Sequence, residues 1–333
     1  MEFVTMAHGA GGAQTKRLID EIFLSAFRNP ALTADDAALL AVKKGRIAFT
    51  TDGFVVTPLF FPGGNIGKLS VCGTVNDLAC MTARPLFISC SFIIEEGFEM
   101  EKLRMIADSM AQTARAAGIA FAAGDTKVVA RGQCDGVYIT TSGIGSVEQH
   151  TAPGGARARE GDALLVTGDI GRHGAAILAA RGLYGVQTEL ESDCAPLWSL
   201  VEDLLKAAGP VHCLRDATRG GLATVLCEIA EQSGVTIELD EESIPVCDAA
   251  KGLCGLLGLE PLYLACEGRM AVILPQTRAQ AALTALRQSR YGANAAVIGR
   301  VRSGRAGNVI VNTKIGGKRL LAPPSGELLP RIC

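Results

Sequence analysis

Short β-rich runs alternate with longer amphipathic segments along all 333 residues, on both sides of one Gly-, Pro- and charge-rich break. That alternation bounds the fold. Runs at Arg46–Thr51, Leu86–Ile94, Ile119–Ala123 and Gly136–Ile144 read as strands, while Ile66–Met81 and Met100–Ala117 carry a helical period. The break, Thr151–Asp162 (TAPGGARAREGD), is a domain boundary by composition. Beyond it strands are expected at Ala163–Thr167, Val235–Leu239, Met270–Leu274, Ala295–Val301 and Val309–Val311. Helices are expected at Gly174–Arg181, Pro196–Ala208, Leu222–Gln232 and Gln276–Ser289. The expectation is an α+β protein with one domain over residues 1–150 and a second over 151–320, each long enough for its own core.

Residues 321–333 (LAPPSGELLPRIC) have no helical or strand period, and Pro323, Pro324 and Pro330 remove backbone donors, so they read as a flexible tail. Thirteen residues can span roughly 40 Å at about 3.3 Å each, enough to carry the thiol of Cys333 into a pocket or out to a partner. Thiolate is the reactive form of that group. A cysteine at this position is by itself no sign of function, and the rest of the chain has to decide.

Composition removes several classes. Net charge is −2, no basic block occurs, and four Tyr and one Trp leave little for base stacking, which argues against a nucleic-acid partner. No apolar stretch approaches the ~20 residues of a membrane span. The N-terminus (MEFVTMAHGA) lacks the basic and apolar regions of a secretory signal. The eleven cysteines are odd in number and form no CxxC pair, so the expected setting is the reducing cytoplasm. Cys72, Cys80, Cys90, Cys134, Cys227, Cys254 and Cys266 sit among apolar residues, as small buried hydrophobes do.

The acidic residues are placed unevenly. Asp52 (TTDG), Asp125 (GDTK) and Asp216 (RDATRGG) stand where strand patterns end before small residues. Asp77 lies on an otherwise apolar helical segment (TVNDLACM), and Asp35–Asp36 precede an Ala-Ala-Leu-Leu run. Taken singly, each could be a turn or capping residue. As a set, such carboxylates suit Mg²⁺ shared with substrate phosphates, because hard cations take oxygen ligands. Near the start, His8-Gly9-Ala10-Gly11-Gly12 is a small, flexible loop whose backbone N–H groups can approach a phosphate closely. It is neither a Walker A loop nor a dinucleotide fingerprint. Lys16 and Lys127 are the nearest candidate phosphate cations.

HGAGG, DDAALL, FTTDGF, TVNDLACM, AAGDTKVV and DATRGGL occur in that order, followed by GDIGRHGAAI, ACEGRMAV and LPRIC. This ordered set resembles the aminoimidazole-ribonucleotide-synthetase-like (PurM-like) superfamily and, within it, the dehydratases of nickel–iron hydrogenase maturation. The resemblance implies an N-terminal ATP-binding domain that dimerises through its sheet into a β-barrel, a C-terminal α+β domain, and ATP with Mg²⁺ as cofactors. By position Asp36, Asp77 and Asp216 match the family's metal carboxylates. His8, Gly9, Gly11, Gly12, Asp52, Asp77, Asp125, Lys127 and Arg219 match its nucleotide site. Lys127 and Arg219 would neutralise charge on the transferred phosphoryl group.

The implied reaction begins with Cys333 carbamoylated by a HypF-type carbamoyltransferase. ATP phosphorylates the amide oxygen, loss of phosphate leaves a thiocyanate, and the cyano group passes to a HypC–HypD-type iron scaffold. A base near the amide nitrogen is needed. Glu267, in the apolar stretch LYLACEGRMAV, is the first candidate and His173, in GRHG, the second. The plain alternatives are a Glu267–Arg269 pair and a loop contact for His173. His150 and His212 read as ordinary, and Trp198 as core.

Two rival readings carry different signatures. Selenophosphate synthetase needs its nucleophile inside the Gly-rich loop, where this chain has Gly12 and no cysteine before Cys72. Thiamine-monophosphate kinase and the purine-pathway synthetase share the Asp framework but have no use for Cys333. A non-enzymatic carrier would need Cys333 and none of the acidic set.

Overall fold

In the computed structural model, which describes residues 3–9, 13–29, 45–147, 153–182, 185 and 188–322, two separate sheets organise the two halves of the chain. A 3-10 turn at Met6–Gly9 precedes α1 (Ala13–Leu18), which runs through a π-helical stretch at Ile19–Leu24 into α2 (Ser25–Phe27). Phe23 and Phe27 of this stretch enter the first core, Phe23 packing on Phe92 with ring centroids 4.7 Å apart.

The first sheet comprises β1 (Arg46–Phe54), β4 (Ala83–Glu95), β5 (Ala120–Val129) and β6 (Val137–Val147), in the order β1-β6-β4-β5. β4 and β5 are parallel, joined by the crossover helix α4 (Met100–Ala117), and the other pairs are antiparallel. A tight hairpin of β2 (Phe60–Phe61) and β3 (Gly64–Asn65) leads into α3 (Ile66–Cys80), whose N-terminus is capped by Asn65 accepting from the Lys68 amide at 3.0 Å. Every residue of α3 except Lys68 and Asp77 is buried. A helix apolar all round belongs in an interior. Here α3 lies between the first sheet and the second domain, touching β1, β4 and β6 on one side and β8 (Cys213–Asp216) and α6 (Trp198–Ala208) on the other. Gly143 permits the approach, since a Cβ there would stand 2.4 Å from the Thr74 methyl.

The second sheet runs β13-β12-β9-β11-β7-β10-β8. Its strands are β7 (Asp162–Val166), β8 (Cys213–Asp216), β9 (Thr236–Asp240), β10 (Met270–Pro275), β11 (Ala296–Arg302), β12 (Asn308–Asn312) and β13 (Lys318–Leu321). Only β9 and β12 pair in parallel. Central β7 is buried on both faces, and its alternating side chains feed two cores. Leu164 and Val166 pack with α7 (Gly221–Ser233), while Ala163 and Leu165 pack with α6 (Trp198–Ala208) and α9 (Ala279–Gln288). Each fully buried leucine contributes about 1.5–3 kcal/mol. α5 (Arg172–Ala180) and α8 (Asp248–Leu257) enclose a smaller fourth core.

Several expectations shift. β1 reaches Phe54 and β5 reaches Val129, so Asp52 and Asp125 lie inside strands and not beyond their ends. Short β8 and β13 and the glycine-containing α8 had no clear signature. Cys134 is half-exposed, whereas the other six cysteines expected in the interior are buried. Asp36, Gly11, Gly12, His150 and Cys333 lie outside the described residues. Among those described, no helix is long and apolar enough to cross a membrane.

Candidate active site

Asp77 is one of only two α3 residues not buried, and the fold uses that gap. Its carboxylate accepts a hydrogen bond from the Thr50 hydroxyl of β1 at 2.6 Å. Asp52, two residues along the same strand, faces the same side. Burial pushes the Asp52 carboxyl up to about 6, aided by the Asp77 charge and a side-chain hydrogen bond with it, while Arg219 opposes the rise. Asp216, at the end of β8 in the other domain, is pushed up to about 7 by burial and then by Asp77, with Asp52 adding a smaller push and Arg215 opposing. Three carboxylates from two domains therefore crowd one another, with Arg219 beside Asp52 and Arg215 beside Asp216 as nearby cations.

The donor chemistry fits Mg²⁺, since oxygen ligands repelling one another are what a hard cation relieves. Among the described residues no group of three His, Cys, Asp or Glu side chains is close enough to cage a metal. The arrangement suits an ion held by a few carboxylates and completed by phosphate oxygens.

Behind this cluster sits Glu267. Burial raises its carboxyl well above the ordinary carboxylate range, and the charges of Cys194, Asp216, Asp193 and Asp52 add to the rise. Its position is fixed by backbone bonds that the sequence did not advertise. The Glu267 and Gly268 amides donate to the Asp193 carboxylate at 3.2 and 3.3 Å. Asn76, buried on α3, donates to the carbonyls of Ala195 at 3.1 Å and Glu267 at 3.2 Å, and accepts from the Leu197 amide at 2.8 Å. Asn76 thereby ties both domains to the Glu267 backbone, one residue before Asp77. Arg269 does not pair with Glu267. It binds Asp169 at 2.8 Å and approaches Asp193 at 3.9 Å, and Arg172 holds the other Asp169 oxygen at 2.8 Å.

His173 is placed differently from Glu267. It is fully buried on α5, its Nδ1 is 2.7 Å from the Ser192 hydroxyl, and the Phe61 ring packs edge-on against it. Burial drives its imidazole down to about 3, so it stays neutral throughout the physiological range. Its Nε2 has no hydrogen-bond partner among the described residues. Both candidate bases are thus buried, and they differ in their surroundings: His173 faces Ser192 and Phe61, whereas Glu267 feels the charges of Asp216 and Asp52.

Asp125 and Lys127 form an exposed ion pair at 3.2 Å. Register places them across the sheet from Asp52. Asp52 pairs with Thr141, Thr141 with Cys90 and Cys90 with Gly124, a row that faces α3 through the hydrogen bonds of Thr141 to Thr74 and Ser70. Asp125 and Lys127 pair with Ser91 and Ile93 and point to the opposite face. His8 lies in the N-terminal 3-10 turn, where its Nδ1 accepts from the Thr5 amide at 3.0 Å, beside a cavity also lined by Arg17 and Arg104. His212 is satisfied by Asp162 at 2.7 Å, and Trp198 is half-buried at the start of α6.

Two family models match the chain: the N-terminal domain of AIR synthase related proteins over residues 34–147, and their C-terminal domain over 159–312. Carbamoyl dehydratase HypE of Rhodobacter capsulatus is 49% identical, with 100% of this chain and 98% of that protein covered. A crystal structure of the hydrogenase maturation protein HypE in complex with ATP superposes with a TM-score of 0.95 at 47% identity, covering 99% of each chain. HypE in a HypE–HypF complex matches with a TM-score of 0.81 at 44% identity over 94% of this chain and all of that one. The chain belongs to the HypE family of carbamoyl dehydratases, built on the two-domain AIR-synthase-related fold.

Proposed function

We propose that this protein dehydrates an S-carbamoyl group on Cys333 to a thiocyanate at the expense of ATP, supplying cyanide for the active-site iron of a nickel–iron hydrogenase. The observation that carries the reading is the meeting of Asp52, Asp77 and Asp216 in front of a buried, high-affinity proton site on Glu267. The amide oxygen attacks the γ-phosphate, releasing ADP, and one of the two N–H protons passes to solvent, leaving an O-phosphorylated imidate on sulfur. Glu267 removes the proton remaining on nitrogen, the C–O bond breaks, and phosphate departs to leave S–C≡N. A carboxylate of raised proton affinity is the stronger base when ionised. Asp77 and Asp216, with Asp52 and with Asp36 from outside the described residues, would hold Mg²⁺, which offsets charge on the phosphates. Arg219 stands beside Asp52, positioned to meet the phosphoryl group.

The nucleotide site extends across two copies of the chain. One face of the first sheet, bearing Ile47, Phe49 and Ile93, is left uncovered by the described residues, with Phe49 66% exposed. An apolar sheet face of this kind is a self-association surface, and pairing two such sheets completes the barrel. Asp125 and Lys127 share that face, so a second copy would bring its Lys127 and Asp125 to the phosphates held by the first copy's carboxylates. Residues 1–150 thus bind nucleotide and dimerise, and 151–320 supply Asp216 and Glu267. HypF-type carbamoyltransferase loads Cys333, as the complex of a relative supports. A HypC–HypD-type scaffold receives the product.

Intact mass tests the reading. With that transferase, carbamoyl phosphate and Mg-ATP, the peptide bearing Cys333 should gain about 43 Da and then fall to a gain of about 25 Da. An unmodified Cys333 beside phosphorylation of a small metabolite would sink the reading.

A further inference from the structure

The chain leaves its last described residue, Ala322, from a built anchorage. Leu321 is buried in the second core at 2% exposure, and Cys227 Sγ donates to its carbonyl at 3.5 Å. Arg319 of β13 pairs with Glu260 at 2.7 Å, and the Tyr263 hydroxyl donates to the Ala322 carbonyl at 2.6 Å. Glu260 precedes and Tyr263 ends a 3-10 turn, Pro261–Tyr263, which packs against α7. Gly221, the first residue of α7, has φ +62°, and a Cβ there would stand 2.5 Å from the Leu262 carbonyl and 2.6 Å from that of Leu264. Downstream, the Cys266 amide donates to Ala217 at 2.9 Å and the Ala217 amide to Arg269 at 3.0 Å. One short segment therefore holds the tail root at Tyr263, runs alongside Asp216–Gly221, and ends on Glu267.

We infer that Tyr263 and Glu260 clasp the root of the tail and aim the segment bearing Cys333 at Glu267 of its own chain. This rests on the dehydratase reading above. Tyr263 and Glu267 are four residues apart, about 13 Å when extended, while residues 323–333 can reach about 36 Å, so delivery within one chain has slack. Slack makes aim matter. Ala322 precedes Pro323-Pro324, which restrict the residue before them and fix their own φ, so an orientation imposed on the Ala322 carbonyl is handed on along the chain. Tyr263 and Glu260 are positioning residues and touch no reacting atom.

Freeing residues 318–322 would lengthen the tether from eleven residues to sixteen, lowering local concentration about 1.8-fold by its −3/2 power, and lost aim adds to that. The test compares delivery within one chain with delivery from outside it. Full-length protein is carbamoylated on Cys333 and mixed with Mg-ATP, and the first-order appearance of thiocyanate is followed by mass. In parallel, the Cys333→Ala protein acts on a carbamoylated synthetic peptide of residues 321–333. Tyr263→Phe, alone and with Glu260→Gln, should slow the tethered conversion at least threefold and leave kcat/KM for the free peptide unchanged. Equal tethered rates in wild type and variant would overturn the clasp. So would an equal loss in both formats, which would place Tyr263 in the site itself. If wild type forms no thiocyanate at all, the dehydratase reading fails and the clasp goes with it.

Discussion

Asp216→Asn should make the metal-free protein more stable at pH 8 while abolishing its chemistry. Asp216 ends β8 with its carboxyl pushed from the ordinary 3.8 up to about 7, by burial first and then by the Asp77 charge. A folded value above the unfolded one means that folding favours the protonated form. Stability is therefore highest below about pH 4 and falls as pH rises to about 7, where the folded group finally ionises. The gap corresponds to roughly 4 kcal/mol at most, and relaxation of the site brings the expected effect to about 2–4 kcal/mol. Asparagine has nearly the same shape and does not ionise, so it removes the pH-dependent loss. Thermal melting in EDTA between pH 4.5 and 8.5 reads this out. Wild type and variant should agree near pH 4.5, and the variant should melt several degrees higher at pH 8. Added Mg²⁺ and ATP should raise wild type more than the variant, because ligand binding stabilises only the state that binds it. Equal melting temperatures at pH 8, or a more stable wild type, would refute the idea that these carboxylates are held together against their mutual repulsion.

Other expectations follow from the same geometry. Asn76→Ala removes three buried hydrogen bonds and leaves the Ala195, Glu267 and Leu197 backbone groups short of a partner, so urea unfolding should show a loss of about 2–4 kcal/mol. Its activity should fall further than stability alone explains, because Glu267 loses its tether. Mg-ATP should bind more tightly as pH rises through 6 to 7, since Asp52 and Asp216 must shed protons to accept the cation; calorimetry in two buffers should detect the released protons. If the nucleotide site spans two copies, Asp77→Asn and Lys127→Ala should each be inactive alone but recover about a quarter of wild-type activity when mixed and reassembled. No recovery in exchange-competent mixtures would place Lys127 with the carboxylates of its own chain.

The sequence showed the periodic parts of the fold well. β4, β6, α3 and α4 have long, uninterrupted patterns, and their centres fall where periodicity puts them. The four-residue strands β8 and β13 are too short to carry a period, and Gly252 and Gly255 hide α8 behind poor helix propensity. In the site, Asp52 and Asp125 look alike on paper, each followed by a small residue. Only strand register, including the shift between Ile88 and Ser89 of β4, sends one toward α3 and the other to the opposite face. The burial of Glu267 was legible because its neighbours are apolar. His173 was not, because glycines beside it suggested an open loop where tertiary packing closes over the ring. Asn76 carried one faint signal, a polar residue in an apolar run, and Asp193, in the polar stretch ELESD, carried none; their roles depend on contacts more than a hundred and more than seventy residues away, respectively.

The central claim is that ATP activates the amide oxygen of a group carried on Cys333. Isotope transfer tests this most directly. Protein carbamoylated with ¹⁸O in the amide carbonyl is mixed with unlabelled Mg-ATP, and the phosphate released in a single turnover is weighed. The account predicts one ¹⁸O per phosphate, a gain of about 2 Da, appearing in step with the thiocyanate. Unlabelled phosphate accompanied by thiocyanate would contradict it, because the oxygen would then have left by a route that ATP does not drive.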